Sequence, residues 1–163
     1  MLENFSLVLE SPDDLPARGQ MLLGAAYAGT AIEHSMLGAA HSAANPLTAH
    51  YNVVHGQAVG MMLPHVVRFN AADESIADGY AALVKDTAVA SSNGTLSAEA
   101  LAQAMEALLD SANLPRDLTA FGVDADQLDV LSKEAAQQWT ASFNPRDITA
   151  ADFTGLYQKA FAS

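Results

Sequence analysis

Apolar positions recur every three or four residues along most of the chain, and no stretch alternates long enough to make a convincing strand. The first periodic segment, SPDDLPARGQMLLGAAYAGTAIEHSMLGAAHSAAN at 11–45, predicts a long helix. Ser11, Pro12, Asp13 and Asp14 suit its N-terminus, Pro16 offers an alternative start, and Asn45-Pro46 ends it. From Gln20 to Ala44 almost every residue is small or apolar, as in a helix buried on most sides. HGQAVGMMLPHVVRFNA (55–71) predicts a second apolar helix, kinked at Pro64, and DESIADGYAALVKDTAV (73–89) an amphipathic one. SSNGTLS (91–97) reads as a turn whose last residue, Ser97, caps AEALAQAMEALLDSAN (98–113); Leu114-Pro115 then breaks the helix. Asp124/Gln127 and Thr149/Asp152 stand at capping-box spacing ahead of two further helices, at 124–139 and 149–163, with an NPRD turn (144–147) between them. The pattern predicts a single all-α bundle spanning 1–163, with no internal repeat and no linker.

Composition changes this picture little. Half of the 163 residues are apolar and 16% are charged, enough for an ordinary core. Without cysteine, disulfides, thiolate metal sites and cysteine nucleophiles are excluded. Nineteen acidic against seven basic residues give a net charge of −12, and the basic residues are scattered, which argues against nucleic acid and anionic membranes as partners. The run MLLGAAYAGTAI (21–32) stops at Glu33, too short to span a bilayer, and Glu3 stands where a secretory leader carries positive charge. The expected compartment is the cytoplasm.

Motif chemistry is sparse. There is no GxGxxG, P-loop, GxSxG or HExxH, and no two glycines are adjacent. Met61 and Met62 fit core filling, and Tyr27, Tyr51 and Tyr80 fit packing. The histidines remain. His34 and His41 are seven residues apart, about two turns, so on a continuous helix they point the same way. His55 opens the next helix, and a reversing 45–54 loop lets it meet His41 across the interface between the two helices. Spacing leaves two readings open: hydrogen-bonded core histidines, the commoner case, or half of a metal site.

One long stretch goes beyond these rules. AIEHSMLGAAHSAANPLTAHYNVVHGQAVGMMLPHVVRFN (31–70) carries His41–x13–His55-Gly56, then Leu63-Pro64-His65 and Arg68-x-Asn70. It resembles the C-terminal helical domain of the iron-containing (group III) alcohol dehydrogenases, which are dehydroquinate synthase-like in fold. The resemblance continues through the 124–139 helix and the Asn144-Pro145-Arg146 turn to the end of the chain.

It implies NAD(P)-dependent oxidation of small alcohols or reduction of aldehydes, with Fe2+ or Zn2+ acting on the substrate oxygen. It implies that His41 and His55 are two of four metal ligands. The other two, in an Asp-x-x-x-His pattern, and the Gly-Gly-Gly-Ser cofactor loop belong to an N-terminal nucleotide-binding domain that would precede Met1. Asn45 takes the place of a histidine that many relatives carry near the nicotinamide, a change shared by a subgroup with the SMLGAAH pattern. The helix around His34 is expected to wall the substrate and cofactor pocket. On this reading the isolated chain binds metal weakly, binds NAD(P) only with the other domain, and is inactive alone. The alternative is a non-catalytic helical interaction protein that forms a homo-oligomer or pairs with a separate nucleotide-binding half. A third reading makes the chain a piece of a longer dehydrogenase.

Overall fold

The computed structural model describes residues 4–85, 87 and 97–161, and all regular structure among them is helical. Eight α-helices are described: α1 (Phe5–Glu10), α2 (Leu15–Ser35), α3 (Ala39–Tyr51), α4 (His55–Asn70), α5 (Glu74–Val84), α6 (Ala98–Ser111), α7 (Leu128–Gln137) and α8 (Ala150–Ala160). Short 3-10 turns at Leu118–Phe121, Ala125–Gln127 and Trp139–Phe143 connect the later ones.

Half of the eight described α-helix starts follow side-chain caps written in the sequence. Asp14 accepts from the Ala17 N–H at 2.9 Å with Pro16 in the first turn, so α2 begins at Leu15 and Ser11 instead closes α1. Ser97 caps α6, and Thr149 and Asp152 form a reciprocal capping box on α8. The Asp124/Gln127 pair does not: residues 125–127 form a 3-10 turn, Asp124 makes no side-chain cap, and α7 starts at Leu128. α5 ends at Val84, short of the expected 89, and the 91–96 part of the expected turn lies outside the described residues.

Three expectations for residues 11–54 are overturned. The long helix is two helices: α2 ends at Ser35, Met36 turns to φ 70°, and α3 restarts after Gly38. Nothing local demanded that break, because Met36 is a good helix former placed at a backbone angle non-glycine residues seldom adopt. Pro46 lies inside α3 rather than ending it. It is fully buried, so packing offsets the roughly 3 kcal/mol that an interior proline costs a helix. The reversing loop is therefore only Asn52–Val54, and Asn52 closes α3 in the left-handed conformation at φ 53°. Third, α2 is not buried. Only Ala17 of its residues is, while Leu22 is 73% exposed and Tyr27 67%.

The main core lies where α3, α4, α7 and α8 meet, around Leu47, Met61, Met62, Leu131, Phe153 and Tyr157. Tyr157 donates its buried hydroxyl to the Ala43 carbonyl at 2.7 Å, tying α8 to α3. A smaller cluster joins α4 to α5 and α6 through Val67, Val84 and Leu101. Arg68 bridges outward from α4 to Glu99 and Glu106 of α6. No helix among the described residues is long and apolar enough to cross a membrane.

Candidate metal centre

α3 and α4 present one histidine each toward the other. The centres of the His41 and His55 rings lie 5.4 Å apart, with the ring planes at 53°. His41 is half-buried in the first turn of α3, and His55 is exposed as the first residue of α4. Burial, and secondarily the neighbouring His55, lowers the His41 pKa, which favours the neutral imidazole that a metal requires. A divalent ion about 2.0–2.1 Å from one nitrogen of each ring, at a tetrahedral angle, puts the ring centres about 5 Å apart. The observed separation fits. The donor set is nevertheless only half of one: among the described residues no cluster of three or more His, Cys, Asp or Glu could hold an ion.

A cavity of about 440 Å³ opens beside His41. Val59, Leu63, Val66 and Asn70, at helical spacing on α4, form one wall, and Ile32 and Phe143 contribute to others. An apolar lining with a few convergent polar groups is the usual form of a small-molecule site. Asn70 and Asn144 are the amides in this lining, and they bond to each other.

The remaining site candidates are placed apart from the pair. His34 is exposed near the C-terminal end of α2 and does not line this cavity. The break at 36–38 separates its helix from that of His41, so the two-turn alignment is lost. The α2 end still reaches the cavity, through Ile32, Ser35 and Met36. Asn45, one turn beyond His41, donates its amide to the Gln138 side chain at 2.9 Å. His65 is a core residue, 6% exposed, whose pKa burial lowers to about 4. His50 bonds the Glu134 carboxylate at 2.8 Å on the surface.

Asn70 and Asn144 line the cavity without any local sequence rule singling them out, and Arg146 donates to the Phe69 carbonyl behind them. Their signal was present in Arg68-x-Asn70 and Asn144-Pro145-Arg146, motifs 74 residues apart at the asparagines that the fold joins.

Comparison with known proteins identifies the family. The sequence model of the Fe-containing alcohol dehydrogenase family, C-terminal, matches residues 1–161. Lactaldehyde reductase of Escherichia coli K12 is 31% identical over 150 residues, covering 91% of this chain and 39% of the relative. Choline dehydrogenase of Bacillus subtilis is 30% identical over 151 residues, 91% of this chain and 37% of its own. The chain thus spans about two fifths of the length of these curated relatives. Among solved structures, a 1,3-propanediol oxidoreductase superposes with a TM-score of 0.86 at 25% identity, over 98% of this chain and 42% of that one. An archaeal Red Sea brine pool alcohol dehydrogenase, at 22% identity and TM-score 0.85, shares the fold over 98% of this chain and 41% of its own.

Proposed function

The chain belongs to the iron-containing alcohol dehydrogenase family, as its C-terminal helical domain, and from that premise we propose that it supplies His41 and His55 as two of four ligands to a divalent Fe2+ or Zn2+ ion in an NAD(P)-dependent alcohol dehydrogenase. The observation that carries the reading is the approach of the two imidazoles to 5.4 Å beside an apolar cavity. Such an ion acts as a Lewis acid toward the oxygen of a small alcohol or aldehyde.

The chain's own residues have simpler tasks. His41 stays neutral and offers a lone pair. Val59, Leu63 and Val66 exclude water from the carbon skeleton of the substrate. Asn45, tied to Gln138, carries no proton as the imidazole of many relatives can, so proton transfer falls to another group. The two other ligands and the nicotinamide site come from a nucleotide-binding domain outside these residues. Hydride transfer needs both halves, and the helical domain alone is inactive.

The test is zinc titration of the purified chain against a His41→Ala/His55→Ala double variant. Weak, exchangeable binding that disappears in the variant is the expected result. Binding that survives unchanged removes these residues from the site.

A second reading, of a helical interaction protein, draws on α2. Leu22, Leu23, Tyr27, Ile32 and Met36 are all exposed. An apolar surface of that kind favours pairing with a nucleotide-binding half or with a second copy. A monomer at every concentration, with or without the other half, refutes it.

A further inference from the structure

We infer that Asn144 is a positioning residue for the His41/His55 pair, holding the first turn of α3 against α4 through its amide pairing with Asn70. The inference rests on the metal-ligand reading above, but its central observable does not require the metal.

The N-cap of α3 is Gly38, which has no side chain to cap with. The Ala39 N–H is one of the helix-start donors that has no partner within the helix. It donates instead to Asn144 Oδ1, at 3.4 Å, from 105 residues away. The same oxygen accepts from Asn70 Nδ2 at 3.2 Å, and Asn144 Nδ2 donates back to Asn70 Oδ1 at 2.7 Å. One buried side chain therefore bonds both helices that carry the histidines. His41 lies two residues beyond Ala39, so the brace acts within the same helical turn.

Asn144 is itself held. Its Nδ2 also donates to the Arg146 carbonyl at 2.6 Å. Arg146 donates to the Phe69 carbonyl at 2.6 Å and stacks over the Phe69 ring at 4.0 Å, fixing the turn to the last turn of α4. The segment before Asn144 then runs back along α3. Thr140 meets Ser42 at 2.7 Å, and Gln138 accepts from Asn45 at 2.9 Å. Ala39, Ser42 and Asn45 are three apart, one stripe of the helix that presents His41. Asn144 also packs close to Gly38, where a Cβ would stand in van der Waals contact with its Oδ1 at 3.4 Å.

A buried amide pair that only satisfied the fold would change stability and leave the histidine pair in place. The experiment compares Asn144→Ala with Thr154→Val, which removes a bond from Thr154 to Ser132 between α7 and α8, away from the site. Two readouts are taken on the folded, metal-free 163-residue chain and then with zinc alone. The first is the nuclear Overhauser contact between the His41 and His55 ring protons. The second is zinc affinity.

The proposal expects Asn144→Ala to lose the ring contact and to bind zinc roughly 10–100-fold more weakly, the range seen when outer partners of metal ligands are removed. Thr154→Val should keep both. A folded Asn144→Ala chain with the ring contact and affinity intact overturns the proposal. If wild type binds no zinc, the metal reading fails, and the ring contact still decides whether Asn144 sets the pair. If Asn144→Ala does not fold, Asn70→Ala is read in its place. Failure of both to fold assigns the amides to the fold alone and also overturns the proposal.

Discussion

Acidification should unload about 3 kcal/mol of stability through a single side chain, His65. Its ring is 6% exposed on the inner side of α4, and its pKa is lowered from 6.5 to about 4. Desolvation is the largest cause, Arg68 adds to it, Glu106 opposes it, and Lys159 and Arg116 add lesser repulsion. The direction of the effect follows from proton counting. Between pH 6.5 and about 4 the unfolded chain binds a proton on His65 that the folded chain does not. Stability therefore falls as pH drops through that window, and the loss is complete near pH 4. At about 1.4 kcal/mol per pH unit, the gap amounts to about 3 kcal/mol, a large part of the 5–15 kcal/mol typical of a domain.

Carboxylates also titrate there. Glu99 and Glu106 are held below their ordinary range, chiefly by hydrogen bonds from Arg68, and lose that contribution in acid. The assay must therefore subtract them. Urea unfolding of wild type and of His65→Gln at pH 7.5, 5.5 and 4.5 does so: the variant lacks the titrating ring but keeps the carboxylates. The difference between the two proteins should shift in favour of the variant as pH falls, by most of that 3 kcal/mol at pH 4.5. A difference that stays constant with pH refutes the argument that burial holds His65 neutral.

Three further outcomes are expected. Tyr157→Phe removes the buried donor to Ala43 and should cost about 1–3 kcal/mol in denaturant unfolding, with no change in zinc affinity. The His41→Ala/His55→Ala variant should unfold within about 0.5 kcal/mol of wild type, because neither ring belongs to the core, while its zinc signal is lost in elemental analysis. Leu22→Glu with Tyr27→Glu should leave the fold intact, since both are exposed, and should shift any self-associated species toward monomer in sedimentation.

Much of the architecture was written locally. The 3.6-residue period, the caps at Asp14, Ser97 and Thr149, and the absence of an alternating run were sufficient for an all-α chain, because each depends on neighbours within one turn. The family resemblance pointed to His41 and His55, whereas their spacing alone favoured core histidines over ligands. What the sequence could not decide depended on partners distant along the chain. Met36 breaks the first long segment at a backbone angle its own side chain does not favour, and Pro46 stays helical because it is buried. Those two outcomes parted His34 from His41 and shortened the loop that brings His55 back. The exposure of α2 was likewise illegible, because an apolar helix reads as buried whether or not these residues supply its cover. Asn70 and Asn144 carry no local signal of pairing. Only the tertiary fold sets them within 3.2 Å, at the point where both histidine-bearing helices need a common anchor.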